Sequence, residues 1–149
     1  MTKPSHDTWI LVADASRARL FASEGHGKPW HLLEDLVHPA SRLKGEELMA
    51  DRPGRVALGA SGARSSMEPH TNPRELEEEH FAHEIGHKLR DGHGHNAYQD
   101  LVLVAPPHFL GLLRKAIGEQ VSKHVKASLD KDFCQVPDHE VQARVEAHL

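Results

Sequence analysis

The sequence predicts a single α/β domain spanning residues 1–149, with a five-stranded mixed sheet flanked by helices. Three observations predict this class. β-rich segments open the chain, helical and strand-length apolar segments alternate in its second half, and no apolar run approaches the roughly 18 residues of a membrane span. The hydrophobic fraction of 38% and the charged fraction of 27% are typical of a soluble globular protein.

The first three strands are predicted to form an antiparallel meander. Residues 8–13 and 18–23 are β-rich, and the corner Asp14 to Arg17 between them is short enough to force a hairpin. The first segment is nearly all apolar, so we expect it at the centre of the sheet. Asp and Ser are ordinary turn formers, so the corner is predicted to be a turn. A third strand follows at about residues 30–37.

The chain loses regularity over about residues 39–71. This stretch is rich in Gly, Pro, Ala, Ser and Arg, and only residues 46–50 resemble a short helical turn. A loop of this length inside a compact domain is usually functional or disordered.

A long helix is predicted next. Asn72-Pro73-Arg74-Glu75 is a typical helix start, and the helix is expected to reach about Arg90, with Gly92 and Gly94 as stop signals. Its buried stripe has helical spacing and consists of Phe81, Ala82, Ile85 and Leu89.

The rest of the chain alternates strand and helix. Residues 100–105 predict a strand covered on both faces, and Pro106-Pro107 opens the next helix. Residues 125–129 predict the last strand, and Asp138 is expected to cap a terminal helix. Right-handed crossovers place the fourth and fifth strands beside the first, which gives the order 3-2-1-4-5 of a ribonuclease H-like fold.

The net charge and the cysteine content restrict which classes of function the chain can have. The net charge is −4 with 14 neutral histidines, so the chain lacks the basic excess of a nonspecific nucleic-acid binder and any RNA contact must be local. The single cysteine, Cys134, excludes an intrachain disulfide and is expected to serve packing. The polar start of the chain has no signal-peptide pattern, so we expect a cytoplasmic protein without membrane contact.

The stretch His83-Glu84-Ile85-Gly86-His87 matches the zinc-protease motif H-E-x-x-H. Histidines one turn apart on a helix can chelate one ion, Glu84 could activate water, and His93, expected in a loop, has the spacing of a third ligand. The longer pattern, however, needs glycine at Arg90 and a later methionine that this chain lacks. In a histidine-rich chain, a chance match is a real risk, and an exposed helix face is the alternative.

The loop from Asp51 to Ser66 is the only basic stretch of any length, since it carries Arg52, Arg55 and Arg64 and no acid after Asp51. Small residues around them, including Gly59 and Gly62, would let a phosphate backbone approach, and guanidinium groups bind phosphate bidentately. A solvated loop with ordinary arginines is the alternative. A ribonuclease H-type nuclease needs a carboxylate in the first strand, and residues 8–13 contain none.

Six segments spread over nearly the whole chain form a recognisable set: Trp9 to Phe21, Asp51-Arg52-Pro53-Gly54-Arg55, Arg64 to Pro69, Phe81-Ala82, Ala105 to Arg114 and Asp130-Lys131-Asp132. With these segments the chain resembles the bacterial host-attachment protein family. The family is in turn similar to the middle domain of archaeal and eukaryotic peptide-chain release factors. The resemblance implies a ribonuclease H-like fold and a role at the ribosome. The release factors carry Gly-Gly-Gln before the long helix, whereas Gly59 to Arg64 contains no glutamine, so their peptidyl-tRNA hydrolysis is not implied.

The sequence therefore predicts a host-attachment family protein that is a binding module for RNA or the ribosome, without established catalysis and without a cofactor. A zinc-dependent hydrolase using His83, His87, His93 and Glu84 is the first alternative. An adaptor that acts through protein contacts in attachment or biofilm physiology is the second. The sequence leaves the oligomeric state open.

Overall fold

The computed structural model describes residues 8–25, 28–38 and 73–149. The described residues form five strands and three helices, which in chain order are β1 (Thr8–Ala13), β2 (Arg17–Ser23), β3 (His31–Val37), α1 (Pro73–Gly94), β4 (Asp100–Val104), α2 (Pro107–Ser122), β5 (Val125–Leu129) and α3 (Asp138–Glu146). The irregular stretch at 39–71, its helical turn at 46–50 and the helix start at Asn72 lie outside the described residues.

The strands form one mixed sheet in the order β3-β2-β1-β4-β5, as predicted. β2 pairs antiparallel with both β1 and β3, while β4 pairs parallel with both β1 and β5. Strand order and helix placement thus follow from the two connection types, hairpins in the first half and helical crossovers in the second. The ribonuclease H-like assignment itself stays a prediction.

Each face of the sheet carries one apolar cluster. Alternate residues of β1 point to opposite faces, so Leu11 contributes to the cluster under α1 and α2, and Ile10 and Val12 contribute to the cluster under α3. The predicted stripe of α1 is buried, as are Val141 and Val145 of α3. β1 is covered on both faces, which explains its nearly continuous apolar sequence.

The helix α1 ends four residues later than predicted. Gly92 was expected to stop the helix, but it lies inside it. Glycine is needed there because a Cβ atom would stand 2.5 Å from Cη2 of Trp9. Its role is close packing against β1. The helix is followed by Asn96, whose φ of 58° is the left-handed conformation that asparagine tolerates at a helix end. His93, expected in a loop, therefore belongs to the last turn of α1.

The cap predicted for α3 is also wrong. Pro137 occupies the N-cap position, no side chain caps the helix, and Asp138 is its first residue. The carboxylate of Asp138 instead accepts a hydrogen bond from Arg19 of β2. None of the helices among the described residues is long and apolar enough to cross a membrane.

Candidate functional site

One edge of the sheet brings together the turn after β1, the N-terminus of α2 and the chain on both sides of segment 39–72. We call it the carboxyl edge, since β1, β3, β4 and β5 end there and β2 begins there. From β1 the chain turns back into β2, and from β4 it passes through α2 to β5 on the other side. The crevice between β1 and β4 is thus a topological switch point, where open α/β sheets bind ligands.

A cleft of about 290 Å³ opens at this point. We call it the switch-point cleft, and its lining residues are Asp14, Ala15, Ser16, Arg74, Glu78, Pro106, His108 and Phe109.

The corner after β1 forms one wall of the cleft. Oδ1 of Asp14 accepts hydrogen bonds from the backbone N–H groups of Ser16 and Arg17, both at 2.8 Å, and from the Ser16 hydroxyl at 3.2 Å. This is an Asx-type turn, so the predicted turn is confirmed. The Asp14 carboxylate is thereby fixed at the mouth of the cleft.

The opposite wall is a small charge network centred on Glu78. Its carboxylate lies 3.6 Å from Nε of Arg74 and 3.4 Å from Nε2 of His108. The side chain of Glu78 is 13% exposed, while those of Arg74 and His108 are 54% and 71% exposed. The acid is therefore held at the back, and the two basic groups face solvent at the cleft.

The N-terminus of α2 adds a partial positive charge. Pro106 is its N-cap, no side chain caps it, and its first turn contains no acidic residue. The free N–H groups of a first helical turn and the helix dipole favour an anion at such a position. Pro106, His108 and Phe109 place this helix end in the lining of the cleft.

His38, the residue after β3, contacts α1 beside the cleft. Its backbone N–H donates to the carbonyl of Ser16 at 2.8 Å, and its ring Nε2 lies 2.8 Å from Oε1 of Glu77. The same ring stacks on Phe81, with the centroids 5.1 Å apart. The residue that precedes segment 39–72 and the helix that follows this segment are therefore fixed to each other at the carboxyl edge.

The predicted phosphate-binding residues Arg52, Arg55, Arg64, Gly59 and Gly62 lie outside the described residues. The described residues that flank this segment are His38 and the start of α1, and both lie at the carboxyl edge.

Arg17, at the same edge, is already paired. It forms a bidentate contact with Asp35 of β3, at 3.1 Å through Nε and 2.9 Å through Nη2. This hydrogen bonding raises the pKa of Arg17 and lowers the pKa of Asp35. Arg17 thus stabilises the β2 to β3 pairing and is not a free phosphate ligand.

Cys134 lies against the back of the same corner. Within the described part of the chain, the only three potential metal ligands whose donor atoms all lie within 4.8 Å of one another are Asp14, Asp132 and Cys134. Burial, with nearby Asp14 and Asp132, raises the pKa of the Cys134 thiol to about 12. A protonated buried thiol is a poor nucleophile and a poor metal ligand, which fits the predicted packing role.

The residues of the zinc-protease motif do not converge on a third ligand. His83, Glu84 and His87 are exposed on α1, away from the core as the helical spacing predicted. His93 points elsewhere, because its ring centroid is 4.8 Å from that of His124. The zinc-hydrolase hypothesis stays a prediction.

Sequence reasoning missed Arg19. It is 1% exposed, and it donates to Oδ1 of Asp138 at 2.7 Å and to the carbonyls of Val136 at 2.7 Å and Phe133 at 2.9 Å. The signal was the period-2 alternation of β2, which places Arg19 on the same face as buried Phe21. Arg19 fixes the loop between β5 and α3, which contains Asp132 and Cys134.

Comparison with known proteins gives the family. The model of a family described as protein required for attachment to host cells matches residues 9–145. The chain belongs to this family. The match begins in β1 and ends in α3, so it includes segment 39–72 and the whole carboxyl edge. Among curated proteins, none matches the chain. The likeness to release factors has no support from these comparisons and stays a prediction.

Proposed function

We propose that this host-attachment family protein is a non-catalytic module that binds the phosphate backbone of RNA, free or in the ribosome, at the carboxyl edge of its sheet. Arg52, Arg55 and Arg64 supply the main phosphate contacts, and Gly59 and Gly62 allow the backbone to approach.

One observation carries the proposal. The described chain on both sides of segment 39–72 meets beside the switch-point cleft, where Nε2 of His38 lies 2.8 Å from Oε1 of Glu77. A segment whose two ends are held beside such a crevice has its reach centred there. Residues 52–67 of this segment carry the three arginines and no acid. The uncapped N-terminus of α2 favours an anion at the same place, and Arg74, paired with Glu78 at 3.6 Å, is an exposed cation beside it.

The charge of the described edge makes the three arginines decisive. Asp14, Asp130 and Asp132 follow β1 and β5, and Arg17 is neutralised by Asp35. Without segment 39–72, the negative charges of the carboxyl edge would therefore offset the attraction of its positive groups for a polyanion. Binding should depend on the segment far more than on any single residue of the cleft.

The test compares two triple variants with the wild type. The first is Arg52→Ala, Arg55→Ala, Arg64→Ala. The matched control removes three exposed cations elsewhere, Arg114→Ala, Lys126→Ala and Arg144→Ala. Binding to a labelled single-stranded RNA is measured by fluorescence anisotropy, and binding to purified ribosomes by cosedimentation at moderate salt.

We expect at least about a tenfold loss of affinity in the first variant and less than about a threefold loss in the control. Equal losses in the two variants would mean diffuse charge attraction and contradict the proposal. A wild type that binds neither RNA nor ribosomes would also contradict it and would favour the adaptor hypothesis.

The zinc-hydrolase hypothesis makes a different prediction for the same preparation. Protein purified without a histidine tag should then contain about one equivalent of zinc, and His83→Ala with His87→Ala should remove it. Less than about a tenth of an equivalent by elemental analysis would eliminate the hydrolase.

A further inference from the structure

Two histidines from distant parts of the chain meet at the opposite edge of the sheet, where β4 and β5 begin. His93 belongs to the last turn of α1, and His124 precedes β5. Their ring centroids are 4.8 Å apart and the ring planes are inclined by 59°. This edge is separate from the switch-point cleft, so the inference is independent of the proposed function.

A hydrogen bond of one ring nitrogen orients the ring of His124 and leaves its other nitrogen for a ligand. Its Nδ1 lies 2.8 Å from the backbone carbonyl of Gln99. A carbonyl oxygen can only accept, so Nδ1 carries the proton, and in the neutral ring Nε2 then has a free lone pair. Metal-binding histidines commonly donate their other ring N–H to a carbonyl in this way. The backbone of His124 is also fixed, because its carbonyl accepts from the N–H of Leu101 at 2.8 Å.

His93 is positioned by the close packing of α1 on β1. Gly92 lets the helix approach Trp9, whose ring packs on Tyr98 with centroids 4.7 Å apart. Tyr98 in turn lies edge-on to His124, with centroids 6.4 Å apart. Among the described residues, neither ring nitrogen of His93 has a hydrogen-bond partner, so its ring is available to a ligand.

We propose that His93 and His124 are the two protein ligands of a site for a borderline first-row divalent ion such as Ni²⁺, Cu²⁺ or Zn²⁺, with water in the remaining positions. Imidazole nitrogen is the ligand that these ions prefer. Two imidazoles on one ion, each with a metal–nitrogen bond of about 2.0–2.1 Å, have ring centres roughly 5 Å apart. The observed distance of 4.8 Å between the two ring centroids is close to this spacing.

The test uses tag-free protein titrated with Ni²⁺ and with Zn²⁺ by isothermal calorimetry. His93→Gln is the first variant because its side chain donates to no described residue, and His93→Gln with His124→Gln is the second. The matched control, His83→Ala with His87→Ala, removes two exposed histidines at helical spacing, the arrangement most prone to adventitious binding. Circular dichroism confirms that each variant is folded, and paramagnetic broadening by Cu²⁺ of histidine ring signals locates the ion.

We expect the wild type to bind about one ion in its tightest site, with at least about tenfold weaker binding in both His93 variants. The control should stay within about twofold of the wild type, and Cu²⁺ should broaden the His93 and His124 signals first. Absence of binding by the wild type, an unchanged affinity in His93→Gln, or a comparable loss in the control would each overturn the proposal.

Discussion

At the scale of single residues, two arginines on one strand have opposite energetic roles. Arg17 and Arg19 share a face of β2, but the side chain of Arg17 is 32% exposed and that of Arg19 is 1% exposed. An exposed ion pair contributes little to stability, whereas a buried guanidinium that saturates backbone carbonyls is costly to remove.

We therefore expect Arg19→Met to lower the free energy of unfolding by about 1–3 kcal/mol, because the carbonyls of Phe133 and Val136 lose their donor. Arg17→Met, the matched control, should cost less than about 1 kcal/mol. Urea denaturation at pH 7 measures both. Similar losses for the two variants would show that the carbonyl contacts of Arg19 contribute nothing.

Cys134 provides a second prediction at this scale. Its pKa of about 12 in the folded protein lies far above the value of about 8.5 of a free thiol. Iodoacetamide should therefore modify the folded protein at pH 8 at least about a hundredfold more slowly than the urea-unfolded chain, since the thiolate is the nucleophile.

Because the pKa of Cys134 is raised in the folded state, this thiol makes the protein less stable as the pH rises. The folded state favours the protonated thiol, so its contribution is fully present below about pH 8.5 and is lost as the pH rises toward 12. Cys134→Ala should reduce this alkaline loss in urea midpoints measured from pH 7 to 10. An alkaline limb that is identical in the variant would contradict the assignment.

At the scale of elements, apolar patterns predicted every described strand and helix. Periods of 2 and 3.6 residues show which face is buried, and the continuous apolar runs of β1 and β4 show strands buried on both faces. The errors concern glycines and caps. Glycine usually ends a helix and aspartate usually caps one, but contacts with distant residues replace these local roles here. Gly92 packs against Trp9, and Asp138 accepts a hydrogen bond from Arg19.

The contact between α1 and α2 gives the prediction at this scale. A Cβ atom at Gly86 would lie 2.8 Å from both Cβ and the carbonyl oxygen of Ala116, and Arg90 donates to that carbonyl. Gly86→Ala should lower the free energy of unfolding by about 1–3 kcal/mol despite the better helix propensity of alanine.

The matched control is Gly111→Ala in α2, where a Cβ atom would meet nothing within 4 Å. It should raise the free energy of unfolding by about 0.5–1 kcal/mol. Opposite signs in urea denaturation are expected. A stabilised Gly86→Ala variant would mean that the two helices separate at little cost.

At the scale of the whole molecule, a net charge of −4 means that affinity for RNA must come from a local group of cations. Each phosphate contact with a single strand contributes about 0.7 to the slope of log K against log salt. If Arg52, Arg55 and Arg64 each make one contact, replacing all three with alanine should reduce the magnitude of the slope by about 2. A slope unchanged from the wild type would locate the contacts elsewhere.

The sequence by itself determined the sheet order, the buried faces and the family, because burial patterns and short connections are local properties and motifs are read directly. It also placed His83 and His87 on the exposed face of α1. Only the tertiary structure decided that both sides of segment 39–72 meet at the switch-point cleft, that Arg19 is buried, and that His93 faces His124. These contacts join residues far apart in the chain, and no local pattern encodes which distant side chain will fill a given space.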